Sequence, residues 1–112
     1  MPFATELPPP SAIGSAITAA AGGGQTNATL VATSAVVVGT VATAADSIKL
    51  PPSQVGTSIQ VLNNTATSMQ VFGSGTDTIN GAAAGTGVAQ AANIFAIYVC
   101  LVAGKWNRLL QG

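Results

Sequence analysis

The chain has 112 residues, which is enough for one domain with a single hydrophobic core. Apolar residues make up 48% of the sequence and charged residues only 5%, against roughly 25% in an ordinary soluble domain, and the net charge is zero. This composition excludes the clusters of Lys and Arg with which proteins bind nucleic acid or an anionic membrane surface. Either the surface consists of neutral hydroxyl and amide groups, or much of it is covered by copies of the chain or by a partner. We favour the second explanation.

Residues 1–27 differ in composition from the rest and predict an extended N-terminal arm. Leu7-Pro8-Pro9-Pro10 predicts a polyproline-like segment because each proline fixes φ. The four-residue spacing of Ile13 and Ile17 is compatible with one or two helical turns, and Gly22-Gly23-Gly24 ends any regular element. Such an arm buries too little apolar surface to become ordered alone, so we expect a neighbouring molecule to hold it. The arm residues expected to contact a partner are Phe3, Leu7, Pro8, Pro9, Pro10, Ile13 and Ile17.

Signals for secretion or membrane insertion are not evident in the sequence. Residues 1–6 lack the basic and apolar regions of a signal peptide. The longest apolar run, residues 94–103, is shorter than the roughly 20 residues of a membrane helix. We therefore expect the protein to accumulate in the cytoplasm of the cell that makes it.

From residue 29 onward the sequence predicts short β-strands. Residues 30–41 are rich in Val, Thr and Ala, and residues 47–50 alternate apolar with polar side chains until two prolines end the strand. Residues 58–61 and 68–71 alternate in the same way and flank the turn-forming sequence Asn63-Asn64-Thr65-Ala66. We expect this pair to form a β-hairpin.

Further turn signals separate the later strands. Asn80-Gly81 is a strong turn signal, and Ala103-Gly104 predicts a tight turn before residues 105–110 return as a strand. No helical periodicity of useful length appears after residue 27. The sequence therefore predicts an all-β domain over residues 28–112, a small jelly-roll-like β-sandwich or barrel, with the arm at 1–27 outside it.

Residues 94–102 form an apolar run without alternation, so both faces of this strand require cover. One side carries Phe95, Ile97, Val99 and Leu101. The core of the domain would cover one face, and either a subunit interface or the rest of a tight barrel would cover the other. The residues predicted to lie in a subunit interface are Ile94, Ala96, Tyr98, Cys100 and Val102.

The sequence offers no set of residues suited to catalysis or to metal binding. Histidine is absent, Cys100 is the single cysteine, and the three carboxylates are widely separated. Cys100 lies in an apolar run and is predicted to be a buried small hydrophobe. Residues 73–77 are glycine-rich but lack the Lys-Ser/Thr of a phosphate-binding loop, so they predict a surface loop. We expect a protein that is not an enzyme and that uses no cofactor or metal.

Several sequence segments together resemble a small β-rich module of tailed-bacteriophage virion proteins. They are Ile48-Lys49-Leu50-Pro51-Pro52, Val55-Gly56-Thr57-Ser58-Ile59-Gln60-Val61-Leu62-Asn63-Asn64, Met69-Gln70-Val71-Phe72, Gly75-Thr76-Asp77-Thr78-Ile79-Asn80-Gly81, Phe95-Ala96-Ile97-Tyr98-Val99-Cys100 and Gly104-Lys105-Trp106. The resemblance spans roughly residues 36–110 and leaves out the arm. It implies a structural role in a virion, as a head decoration (cement) protein or as a head or tail fibre segment, commonly trimeric.

The favoured hypothesis is a decoration protein that stabilises the head shell as a homotrimer. Its partners would be copies of itself and the major capsid protein, and it would be located on the capsid surface after assembly in the host cytoplasm. The alternatives are a fibre or tail component that contacts the host surface, and a non-viral β-rich binding module. Nucleic acid and membrane are not expected partners.

Overall fold

The computed structural model describes residues 13–111, with side chains from residue 16 onward, and this part of the chain contains ten strands and no helix. The strands are β1 (Ile13–Thr18), β2 (Thr29–Leu30), β3 (Ala35–Thr40), β4 (Ser47–Lys49), β5 (Ser58–Asn63), β6 (Met69–Phe72), β7 (Thr78–Ile79), β8 (Val88–Gln90), β9 (Phe95–Val102) and β10 (Lys105–Leu110). They form a six-stranded sheet of order β1-β3-β5-β9-β10-β7 and a four-stranded sheet of order β2-β4-β6-β8.

The first six strands form three stacked coils of a β-solenoid. The chain alternates between the two sheets, so that β1, β3 and β5 lie parallel in the large sheet and β2, β4 and β6 lie parallel in the small one. Ile13 pairs with Ala35, and Ala35 pairs in turn with Gln60, so the chain completes one coil between each of these residues and the next. Each coil therefore buries its apolar side chains against the coil beside it as well as between the sheets.

The last four strands close this solenoid. β8 pairs antiparallel with β6, β9 pairs antiparallel with β5, and β10 forms a hairpin with β9. β7 then adds parallel to β10. The third coil is thus covered by strands of the same chain.

The all-β prediction is confirmed, whereas the predicted jelly-roll-like sandwich or barrel is wrong. A jelly roll is built from antiparallel strands, and here the neighbouring strands of the first three coils are parallel. The predicted hairpin of residues 58–61 and 68–71 is also wrong, because β5 lies in the large sheet and β6 in the small sheet.

A buried asparagine shapes the corner between β5 and β6. Asn63 Nδ2 donates hydrogen bonds to the carbonyl oxygens of Thr67 at 2.9 Å, Gln90 at 3.1 Å and Ala91 at 3.2 Å. Its Oδ1 accepts from the Thr65 hydroxyl at 2.8 Å and the Thr65 amide at 3.2 Å. The turn-forming residues at this corner therefore lead the chain from β5 in the large sheet to β6 in the small sheet, and they do not form a hairpin within one sheet.

The core lies between the two sheets, and strand alternation determines which side chains reach it. In β9 every second side chain from Ala96 to Cys100 is fully buried. Trp106 from β10, and Ile48 and Met69 from the small sheet, are also buried in this core. Burial of these side chains removes a part of the chain's apolar surface from water, which stabilises the fold.

The predicted domain boundary at residues 27 and 28 is wrong for the described part of the arm. Residues 13–18 form β1 rather than a helical turn, and Ala19 is 3% exposed within the core. Ala20 forms an antiparallel bridge with Ser47. The first coil of the solenoid is therefore built from residues assigned to the arm.

The predicted turns are confirmed. Asn80 and Gly81 both have positive φ, 54° and 78°, and the Ala82 amide donates to the Ile79 carbonyl at 3.0 Å. Gly104, with φ 79°, turns the chain between β9 and β10.

Within residues 13–111, a helix long and apolar enough to cross a membrane is not found.

Candidate functional site: the outer face of the large sheet

The outer face of the large sheet is apolar although no other part of the described chain forms a layer over it. On β9, Phe95, Ile97 and Val99 alternate with the buried residues and remain half-buried, and Leu101 is 66% exposed. On β10, Leu109 pairs with Ile97 and is 68% exposed. We use "outer face" for these five side chains and for the residues of β3 and β5 beside them.

An apolar groove of about 230 Å³ lies at one end of the outer face. It crosses β3, β5 and β9, because Val37 pairs with Leu62 and Leu62 pairs with Phe95. Gln60 supplies the polar side chain of the lining. The full lining is Ala35, Val36, Val37, Gln60, Leu62 and Phe95.

A second apolar surface lies at the opposite end of β9, where the β9–β10 hairpin turns. Leu101 and Val102 are 66% and 56% exposed, and Val55 is 60% exposed. The Gly56 amide donates to the Cys100 carbonyl at 2.8 Å, which holds the loop of Val55 against this end of β9. We call Val55, Leu101 and Val102 the tip patch.

Hydrogen bonds fix the hairpin turn beside the tip patch. The Gly104 amide donates to Ser53 Oγ at 2.9 Å, and the Ser53 hydroxyl donates to Asp77 Oδ1 at 3.1 Å. The Ser53 amide also donates to Asp77 Oδ2 at 2.8 Å. Three separate segments of chain therefore hold the tip patch in one position.

The predicted interface residues lie mostly in the core of the chain itself. Ala96, Tyr98 and Cys100 are 0% exposed, so they cannot contact another subunit. Ile94 is half-buried, and Val102 belongs to the tip patch. The residues predicted for a subunit interface therefore lie largely on the core side of this strand, and the alternate residues from Phe95 to Leu101 are the ones on the surface.

The residues predicted to contact the capsid fall into two groups. Phe3, Leu7, Pro8, Pro9 and Pro10 lie outside the described residues. Ile13 and Ile17 belong to β1, where Ile17 is half-buried and packs against the core. Ile17 is therefore part of the solenoid rather than of a free arm.

Two ionisable groups, Asp46 and Tyr98, have pKa values shifted by their surroundings in the fold. The Thr43 hydroxyl donates to Asp46 Oδ1 at 2.7 Å and lowers the pKa of this carboxyl, although burial acts in the opposite direction. Burial raises the pKa of Tyr98 to about 12, against an opposing effect of the Arg108 guanidinium. Cys100 is a buried free thiol, which confirms the prediction for this residue.

The described side chains form no cluster of three or more His, Cys, Asp or Glu that could hold a metal ion. The carboxylates of Asp46 and Asp77 accept hydrogen bonds in two different turns, from Thr43 and Ser53 respectively.

The glycine-rich loop of residues 73–77 is held by Gln25, whose Nε2 donates to the carbonyl oxygens of Gly73 at 2.6 Å and Gly75 at 2.8 Å. This loop is thus fastened to the first coil by a side chain.

The edge strands at both ends of the solenoid are short or irregular. At the first coil, β2 has two residues, and β1 contains register shifts and an Ala16 with φ 58°. At the other end, β7 has two residues and β8 has three. Short and bulged edges discourage the addition of further strands, so the outer face is better suited to association than the sheet edges.

Comparisons with known proteins give no relative, since no protein family, no curated protein and no solved structure matches this chain.

The groove is the part of the site that was not found from the sequence. Val37, Leu62 and Phe95 are distant from one another along the chain. They meet only because β5 pairs with β3 on one side and with β9 on the other. The available signal was Leu62, an apolar residue that breaks the alternation of residues 58–61.

Proposed function

We propose that this chain is a structural virion protein of a tailed phage, a head decoration protein that acts as a homotrimer. The outer face of the large sheet is the observation that carries the proposal, because Leu101 and Leu109 are two-thirds exposed beside the half-buried Phe95, Ile97 and Val99. A row of large apolar side chains of this kind is typical of a protein–protein contact. The resemblance to phage virion modules supplies the virion setting.

The low charge of the chain supports assembly with identical copies. Three basic and three acidic residues give a net charge of zero, so neighbouring copies do not repel one another. A free monomer in solution would usually carry a net charge that opposes association. The composition and the exposed face therefore favour the same function.

The blunted edges support a closed oligomer rather than an endless stack. β1 and β2 at one end, and β7 and β8 at the other, offer few regular backbone groups to a further strand. β10 extends past β7, but there the Arg108 amide already donates to Asn80 Oδ1 at 2.8 Å. Contact through the side of the solenoid allows copies to close around an axis. A trimer is the state that the resemblance implies.

Residues 1–12 are proposed to provide the contact with the major capsid protein. They contain Phe3, Leu7 and four prolines, and they precede β1 at the edge of the large sheet. Deleting residues 1–12 should abolish binding to capsids while the oligomer persists. The deletion has to stop there because residues 13–27 belong to the first coil.

Binding to expanded capsids tests the proposal. Purified protein is mixed with capsids that lack it, and the bound fraction is measured by sedimentation at low salt and at about 1 M NaCl, where the Debye length is about 3 Å. We expect binding at hundreds of copies per particle with little loss in high salt, because apolar contacts are not screened. Release at high salt, or absence of binding by the full-length chain, would contradict a decoration role based on apolar contact.

A fibre or tail component is the second candidate, and the three stacked coils favour it because a solenoid lengthens by adding coils. Copy number separates the two roles. A few to some tens of copies in each particle would indicate a fibre or tail component, whereas hundreds would indicate decoration of the head.

A further inference from the structure

We propose that the groove of the outer face binds a segment of its own chain, Leu7-Pro8-Pro9-Pro10, in the polyproline II conformation. Residues 1–12 lie outside the described part of the chain, and they lead into β1 at Ile13. The proposal concerns the free chain, and it goes beyond the virion role because it specifies a contact that forms without any particle. The groove is lined by Ala35, Val36, Val37, Gln60, Leu62 and Phe95.

The start of β1 lies beside the groove. Ile13 pairs with Ala35, which belongs to the lining, and Ala35 pairs with Gln60 on the next strand. Neighbouring strands are about 4.8 Å apart, so Gln60 lies about 10 Å from Ile13 across the sheet. Pro10 precedes Ile13 by three positions, and an extended chain covers about 10 Å in three residues. Pro10 can therefore reach the groove without any change in the coils.

The length of the proline segment matches the width of the groove. The groove crosses β3, β5 and β9, because Val37 pairs with Leu62 and Leu62 pairs with Phe95. Two strand spacings correspond to a width of about 10 Å. Residues 7–10 in the polyproline II conformation extend over about 12 Å, at about 3.1 Å for each residue. One such segment is long enough to cross all three strands.

Backbone hydrogen bonding favours a proline segment over an ordinary peptide as the occupant. β3, β5 and β9 each have a neighbouring strand on both sides, so their amides and carbonyls are directed to those strands. A peptide in the groove therefore meets side chains and no backbone partners, and each N–H group that it buried would remain unpaired at a cost in free energy. Pro8, Pro9 and Pro10 have no N–H group.

The side chains of the groove suit a proline-rich ligand. Proline-rich segments bind in grooves lined by aromatic side chains, and Phe95 supplies an aromatic ring here. The exposed Gln60 side chain carries an amide that can donate a hydrogen bond to a proline carbonyl. Neither residues 7–12 nor the lining contains an ionisable side chain, so the contact buries no charge.

The covalent connection favours the segment of the same chain over that of another copy. A ligand on a short flexible linker has an effective concentration in the millimolar range, so even a contact of about millimolar affinity would fill a large fraction of the grooves. Docking also determines where residues 1–6 leave the outer face. Phe3 would then be presented from one position to the capsid contact proposed above.

Nuclear Overhauser effects in the full-length chain test the proposal. Cross-peaks are measured between the ring protons of Phe95 and the side-chain protons of residues 7–10. A sample that mixes isotope-labelled and unlabelled chains separates contacts within one chain from contacts between chains. Pro9→Asp places a charge in the segment, and Thr5→Asp is the matched control because it adds the same charge outside residues 7–10. The signals of the buried Trp106 report whether the variants fold.

We expect cross-peaks within single chains between Phe95 and residues 7–10. Pro9→Asp should abolish them and shift the signals of Val37 and Leu62, because burial of an aspartate in an apolar groove costs free energy. Thr5→Asp should leave the cross-peaks and these signals as they are in the unmodified chain.

Three results would overturn the proposal. One is the absence of these cross-peaks from the unmodified chain. Another is cross-peaks found only between chains, which would assign the occupant to a second copy. The third is an equal effect of Pro9→Asp and Thr5→Asp on the signals of the groove. None of these results bears on the virion role, which capsid binding and copy number judge separately.

Discussion

The hydroxyl of Tyr98 donates a hydrogen bond of 2.7 Å to Oε1 of Gln90, and both side chains are fully buried between the sheets. Gln90 Nε2 donates in turn to the carbonyl oxygens of Val61 at 3.0 Å and Ile94 at 2.8 Å. These bonds join β9 of the large sheet, β8 of the small sheet and the third coil of the solenoid. A buried polar network with all of these groups paired fixes how the closing strands fit onto the coils.

Tyr98→Phe should lower the free energy of unfolding by about 1 to 3 kcal/mol, because Gln90 Oε1 would remain buried without a donor. Urea denaturation followed by circular dichroism measures this change. Tyr98→Phe combined with Gln90→Leu should be less destabilising than the sum of the two single substitutions, since the partners share one bond. Additive effects would show that the two side chains act independently.

Stability should fall at high pH because of Tyr98. Burial raises its pKa from 10.0 to about 12, so the folded state keeps a proton that the unfolded state has lost. The stabilising effect of the neutral phenol is complete below pH 10, and stability declines by about 1.4 kcal/mol for each pH unit between 10 and 12. Thermal unfolding across this range measures the slope. The Tyr98→Phe variant should lack this part of the decline, and an equal decline in both proteins would refute the assignment.

Asn63→Asp should destabilise the chain by about 3 kcal/mol or more. The substitution keeps the shape of the side chain but turns an oxygen toward the carbonyl groups of Thr67, Gln90 and Ala91, which now accept from Nδ2. The change is measured as the shift in urea midpoint relative to Asn64→Asp, whose side chain is exposed. Equal midpoints for the two variants would mean that the corner does not depend on this amide.

Gly73→Ala should cost about 1 to 3 kcal/mol because a β-carbon at this position meets the backbone. The added atom would lie 2.8 Å from the Asp77 carbonyl oxygen and 3.0 Å from Asp77 Cβ. Gly24→Ala is the matched control, since a β-carbon there has no atom within 4 Å. Melting temperatures of the two variants give the comparison. A stable Gly73→Ala variant would show that the loop of residues 73–77 is free to move away.

Several of the strands could be predicted from the sequence, whereas β1, β7 and β8 and the connections between strands could not. The alternation at residues 58–61 and the apolar run at 94–102 each mark a strand, and Asn80-Gly81 and Ala103-Gly104 mark turns. Alternation records which side chains face the core, but the same pattern suits a parallel coil and an antiparallel hairpin. The corner at Asn63 was therefore mistaken for a hairpin turn.

A solenoid is usually revealed by a sequence repeat, and this one has none of fixed length. In the large sheet, the chain takes fewer residues to pass from Ile13 to Ala35 than from Ala35 to Gln60. The step from Thr29 to Ile48 in the small sheet is shorter than either. The strands of a coil also have as few as two residues, too short for a clear alternation. Because the corners between strands differ in length, the sequence has no fixed period that would reveal the stacked coils.

The candidate site was predicted in part. The low charge, and a strand that is apolar on both sides, indicated a surface that a partner would cover. The structure confirms that both sides of β9 carry apolar side chains, because those that do not face the core form the outer face. Most of the residues assigned to an interface proved to be core residues, because a strand that is apolar on both sides does not show which side meets the core. The Trp106 and Tyr98 side chains, both large and buried, decide this for β9 and β10.

The molecular mass of the purified chain in solution tests the central proposal most directly. Sedimentation equilibrium over a wide range of protein concentrations, at low salt and at about 1 M NaCl, would measure it without reference to any particle. We expect a single species of about 33 kDa, three times the 10.9 kDa of one chain, that persists in high salt. A species of 10.9 kDa at every concentration would contradict the proposal that copies of this chain cover its apolar outer face.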